Sequence, residues 1–115
     1  FDKNYFERVI HHEVFHIIND SFNDLFNEVE WKSFNDKNFS YAECSTCSKR
    51  LGLNTYNNTN GFLTEYSQST ASEDMAEVFS HLMFKIIRSE NDVILQKKEK
   101  FIKKGLLKID NNFNF

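Results

Sequence analysis

The sequence predicts a mainly α-helical domain in which two apolar helices flank a long irregular stretch. Three observations lead there. Apolar residues recur at helical spacing from Phe6 to Ile18 and again from Met75 to Ile87, the 3.6-residue period of helices with a buried face. Between about Asn35 and Asn60 the chain is polar and shows no period. The third is His12-Glu13-Val14-Phe15-His16, an HExxH pattern whose spacing gains meaning only on a helix.

The first helix runs from Asp2 or Asn4 to Asn19. Phe6, Val9, Ile10, Phe15, Ile17 and Ile18 make it apolar enough to be buried. Asp20 and Ser21 are natural N-cap residues for a second, shorter helix with Phe22, Leu25, Phe26, Val29 and Trp31 on its inner face. Asn35-Asp36-Lys37-Asn38 then breaks the pattern, and Phe39, Tyr41, Leu51, Leu53 and Tyr56 are scattered anchors in the irregular stretch. A structureless run of that length in a compact domain is usually functional. Gly61 to Tyr66 reads as a short extended segment. Helix resumes at Ser69 or Thr70 and continues to Arg88, with Met75, Val78, Phe79, Leu82, Met83, Ile86 and Ile87 on its apolar side. Ser89 or Asn91 caps a last helix to about Lys104, with Gly105 as its C-cap. The lysines of that helix, Lys97, Lys98, Lys100, Lys103, Lys104 and Lys108, read as a solvated face ahead of a membrane or anion surface.

The chain has 115 residues, with neither an internal repeat nor a linker, so residues 1–115 are read as a single domain. It begins at Phe1 shortly before the HExxH pattern and is read as the C-terminal part of a longer protein, any signal peptide or anchor lying upstream. No apolar run approaches the length that spans a bilayer. A net charge of −3 argues against nucleic acid as a partner. Thirteen phenylalanines promise an aromatic core.

On a helix, positions i and i+4 lie about 40° apart around the axis and about 6 Å apart along it. His12 and His16 can therefore aim two imidazoles at one metal ion, with Glu13 close to a metal-bound water. Two nitrogen ligands and an adjacent carboxylate suit Zn²⁺ and metal-assisted hydrolysis. The plain alternative is a core helix with surface histidines. His11 lies about 100° away from His12 and cannot share that metal; it reads as a packed or hydrogen-bonded residue. Asp20 could orient His16 or could cap a helix.

A catalytic zinc needs a third protein ligand and an open position. Glu73, Glu77 and His81 fall at i, i+4 and i+8 on one face of the later helix and are the best source. Locally they can be explained otherwise: Thr70-x-x-Glu73 as a capping box, and Glu77 with His81 as a surface pair. A di-iron carboxylate site would require a second Glu-x-x-His on another helix, and Glu77 to His81 is one residue too long. The two cysteines form a single Cys44-x-x-Cys47. It could be half a zinc site, a redox pair or a local disulfide, and a plain loop pair is favoured because no second cysteine pair exists.

HExxH followed far downstream by Glu73-x-x-x-Glu77 resembles the gluzincin zinc peptidases. The run from Thr64 to Glu77, with Tyr66 seven residues before Glu73, is similar to the catalytic domain of the anthrax lethal factor-like peptidases. The doubled histidine, Trp31-x-x-x-Asn35-x-x-x-Phe39-x-Tyr41 and the run from Gly61 to Glu77 also resemble a group of bacterial zinc metallopeptidases, many of them exported. The resemblance spans about residues 9–84. It implies a zincin-like catalytic fragment: an HExxH helix, a Glu-bearing helix and a long loop between them, most of the β-sheet being absent from this chain. It further implies one Zn²⁺ per chain on His12, His16 and Glu73, and Glu13 as the general base for the zinc-bound water. Glu77 would support His12, and Tyr66 would donate to the oxyanion. The substrate would be a peptide or protein, and an exported or extracellular location is favoured. The substrate-aligning strand of such peptidases is missing, and Cys44-x-x-Cys47 is no part of their pattern. A domain that holds zinc but is catalytically inactive is the competing expectation.

Overall fold

A computed structural model of the chain describes residues 2–42, 60–84 and 90–115. Helix α1 spans Lys3–Ser21, α2 Glu28–Ser33, α3 Ala71–Phe84 and α4 Val93–Ile109. Short 3₁₀ turns occupy Asn23–Leu25 and Glu65–Gln68. The mainly α expectation holds, and among the described residues no multi-residue strand forms. No helix among them is long and apolar enough to cross a membrane. Leu51, Leu53, Tyr56, Cys44 and Cys47 lie outside the described residues, as do Ile86, Ile87 and Arg88.

Local chemistry sets the helix starts. The Asp2 carboxylate accepts the backbone N–H groups of Asn4 and Tyr5, 3.0 and 3.2 Å away, so it caps α1 at the first of the two expected starts. At the other end α1 runs through Asp20 and Ser21 instead of stopping at Asn19. Asn27, not Asp20 or Ser21, caps α2 by accepting Glu30 N–H at 2.9 Å. The shift turns Phe22 and Val29 outward, 40% and 78% exposed, while Phe26 and Trp31 are buried as expected. Asp92, next to the expected Asn91, caps α4 through Leu95 N–H at 2.9 Å.

Helix α3 is the centre of the molecule. Every residue from Asp74 to Leu82 is buried, since α1 packs along one side and α4 along another. Aromatic edges knit the layers together: Phe15 of α1 meets Phe26 and Phe79 with ring centroids 5.1 and 5.3 Å apart, and Trp31 of α2 meets Phe101 of α4 at 5.4 Å. Contacts of this geometry add about 0.5–1.5 kcal/mol each beyond area burial.

Three sequence expectations are corrected. Helix α1 is not buried all round: Arg8, His12 and Phe15 face the core, whereas Phe6, Ile10, Val14 and Ile17 form an exposed apolar stripe. Gly105 is no C-cap but lies inside α4, which continues to Ile109. A Cβ there would meet the Phe26 ring, 2.9 Å from its Cζ, so a residue without a side chain lets α4 approach the turn after α1. Lys98 does not join the solvated lysines; it is fully buried.

Candidate metal centre

Helices α1 and α3 cross so that one turn of each faces the other. His12 and His16 come from α1, and Glu73 and Glu77 from α3. Thr70 stands just before α3, its hydroxyl accepting Glu73 N–H at 3.1 Å. The backbone half of the expected capping box is thus present, and the Glu73 carboxylate is left for the histidines. A carboxylate in a first helical turn also sits favourably in the helix dipole.

The Nε2 atoms of His12 and His16 lie 3.2 Å apart. Glu73 Oε1 is 3.3 Å from His12 Nε2 and in direct contact with His16 Nε2. One atom from each of the three residues falls in a single cluster that could hold a metal ion. A tetrahedral ion with ligands at about 2.0–2.1 Å separates them by roughly 3.3 Å, which matches both His12 distances. The donor chemistry fits zinc as well: two imidazole nitrogens and one carboxylate oxygen.

Each imidazole is held from behind. His12 Nδ1 donates to Glu77 Oε2 at 2.8 Å, which leaves Nε2 facing the cluster. Ser72 Oγ stands 3.3 Å from His16 Nδ1 in the place considered for Asp20, which is exposed at the end of α1. Glu77 is itself anchored, its Oε1 accepting the buried Thr64 hydroxyl at 2.7 Å. The same hydroxyl accepts Ser67 N–H at 3.3 Å and so caps the 3₁₀ turn that carries Tyr66. The Tyr66 hydroxyl donates to Glu73 Oε2. Glu13, adjoining His12, is exposed.

Charge is concentrated here. Burial pulls the His12 imidazole pKa down, but hydrogen bonds to Glu73 and Glu77 outweigh it and raise the pKa to about 9. Burial pushes Glu73 up, but its hydrogen bonds to His12 and His16 win and lower it to about 2. Metal-free protein therefore holds a proton on His12, which an ion bound at Nε2 must displace.

His11 packs edge-on against Phe79, ring centroids 6.4 Å apart, away from the cluster. His81 is buried and structural. A guanidinium can only donate, so His81 Nε2 accepts from Arg8 at 3.4 Å and Nδ1 donates to the Glu77 backbone carbonyl at 2.8 Å. Burial pushes its pKa down. Thr64 and Ser72 carry no mark in the sequence, because a lone hydroxyl has no spacing signature; the one hint is that Thr64 opens the run leading to Glu77.

Among curated proteins and among solved structures nothing matches the chain. Residues 2–115 match the model of a family described as "putative zinc-binding metallo-peptidase", and to that family of metallopeptidases the chain belongs.

Proposed function

We propose that the chain is a zinc-dependent peptidase domain that hydrolyses peptide bonds in a peptide or protein substrate. The observation that carries this reading is the convergence of His12, His16 and Glu73 on one point, with Glu77 behind the first histidine and Tyr66 on the glutamate. The family description, which names both zinc and peptidase, supports it. The order of the two acids also favours a gluzincin-type arrangement: Glu73 faces both imidazoles, and Glu77 touches only the outer nitrogen of His12.

One Zn²⁺ on His12 Nε2, His16 Nε2 and the Glu73 carboxylate would supply a Lewis acid that makes water a nucleophile near neutral pH and polarises the scissile carbonyl. Glu13 takes the proton that the attacking water loses and passes it to the leaving amine. Its exposure keeps it open to both solvent and substrate. The Tyr66 hydroxyl donates a hydrogen bond to the carbonyl oxygen as negative charge builds there. Glu77 and Thr64 keep the His12 proton on Nδ1, so that Nε2 stays a ligand.

The test is zinc analysis of the purified chain followed by a peptide-library cleavage screen, with and without chelator, on wild type and Glu13→Gln. The proposal expects zinc near one per chain, chelator-sensitive cleavage in wild type and none in Glu13→Gln. Zinc without cleavage in either would favour a metal-holding, inactive binding domain.

A further inference from the structure

Helix α4 contributes nothing to the metal cluster, yet it grips the segment that leads into it. The Lys98 ammonium is fully buried and donates to the Gly61 carbonyl at 2.7 Å and to Asp74 Oδ2 at 2.8 Å. It also lies 3.8 Å from the centroid of the Phe62 ring. From the other side, Gly61 N–H donates to Asp92 Oδ2 at 2.7 Å. Gly61 has φ +93°, and a Cβ there would lie 2.6 Å from Ile94 Cγ2. Both peptide groups of one glycine are thus fixed by the cap and the second turn of α4. Three residues on comes Thr64, bound to Glu77; five residues on comes Tyr66, bound to Glu73. The other arm of Lys98 reaches Asp74, the direct neighbour of Glu73.

We infer that Lys98 is a positioning residue: with Asp92 it sets where Thr64 and Tyr66 meet Glu77 and Glu73. This rests on the reading of His12, His16 and Glu73 as zinc ligands. Stability alone is a poor reason for the arrangement, because a buried ion pair is often matched or bettered by apolar residues of the same volume. Burial pushes the Asp74 carboxyl up and the Lys98 ammonium down; Trp31 N–H and Tyr41 O–H also donate to Asp74 Oδ2, at 3.1 and 2.7 Å, and favour its charged form. What a methylene chain cannot replace is direction. The ammonium meets a carbonyl, a carboxylate and a ring face at once, and so aims the segment that follows Gly61.

The experiment is a double-mutant cycle on zinc affinity, measured in the full chain by competition with a chromophoric chelator. Lys98→Met removes the ammonium at nearly constant length. In the wild-type background it should weaken zinc about 10–100-fold, as losing support behind a ligand does. In a Thr64→Val/Tyr66→Phe background the same change should cost at least about threefold less than in wild type, because the two hydroxyls it aims are gone and only its contact with Asp74 remains. Asp92→Asn supplies a second cycle if Lys98→Met does not fold: asparagine keeps the α4 cap and loses the Gly61 acceptor. Where cleavage is measurable, kcat should fall in both variants with KM nearly constant. Equal losses in the two backgrounds, or full zinc affinity in a folded variant, would overturn the inference. Absence of cleavage by wild type would count against the peptidase reading and leave the zinc cycle intact.

Discussion

His12 Nδ1 and Glu77 Oε2 lie 2.8 Å apart across the α1–α3 interface, joining two helices whose residues are 65 positions apart in the chain. The bond fixes which imidazole nitrogen is free for a metal. Glu77→Gln replaces the acceptor by an amide that can rotate to offer its own oxygen, so zinc affinity should fall by about 10–100-fold. Glu73→Gln removes a charged ligand and should cost far more. Chelator competition on the two variants measures the order; a larger loss in Glu77→Gln would reverse the assigned roles.

Metal binding and chemistry should separate at Glu13 and Tyr66. Glu13→Gln is expected to keep zinc and lose hydrolysis, because an amide cannot take the proton of the attacking water. Tyr66→Phe should still load about one zinc per chain and lose about a hundredfold in kcat, the usual effect of one donor to a developing negative charge. Zinc analysis and steady-state kinetics on the same preparations check both. Hydrolysis at the wild-type rate in Glu13→Gln would remove this glutamate as the base.

Chelator-treated protein should lose stability as pH rises above neutrality. The folded pKa of His12, about 9, exceeds its ordinary 6.5. The stabilisation from its protonated form is therefore complete below about pH 6.5 and disappears as pH rises through about 9, an effect on the order of a few kcal/mol. Glu73, lowered from 4.5 to about 2, contributes above pH 4.5 and loses its contribution as pH falls through about 2. Metal-free protein should accordingly be most stable between about pH 4.5 and 6.5, and urea titrations across pH measure the window. Flat stability from pH 6.5 to 9.5 would mean that His12 is neutral in the metal-free fold.

Gly105→Ala should destabilise the fold by about 1–3 kcal/mol, the range for overpacking a filled core. Its Cβ would press into the Phe26 ring, and the usual gain in helix propensity from glycine to alanine, about 1 kcal/mol, does not relieve that clash. Thermal unfolding checks it. An alanine variant as stable as wild type would mean that α4 can retreat at no cost.

The helical period makes the candidate ligands legible: His12 and His16 share a face by spacing alone, and Glu73 and Glu77 repeat that spacing on α3. Which acid faces the two histidines is not written in the spacing; the resemblance implies Glu73. Other features depend on tertiary approach. Lys98 reads as solvated because lysine usually is, and only the meeting of Asp74 with the Gly61 carbonyl explains its burial. Gly105 has the look of a helix end, while its reason is the Phe26 ring from another part of the chain. A cap at Asp20 and Ser21 would turn Phe22 and Val29 inward; the actual cap at Asn27 rotates the face. Phe6, Ile10, Val14 and Ile17 show the remaining limit, since an apolar period marks a helix but not which of its sides the rest of the fold covers.

The most direct measurement is X-ray absorption at the zinc edge of the purified full chain loaded with one equivalent of Zn²⁺. The account predicts a shell of nitrogen and oxygen at about 2.0–2.2 Å with the outer-shell scattering of two imidazoles, and loss of one imidazole in His12→Ala. A sulfur shell at about 2.3 Å, placing the ion on Cys44 and Cys47, or a spectrum unchanged by His12→Ala, would contradict it.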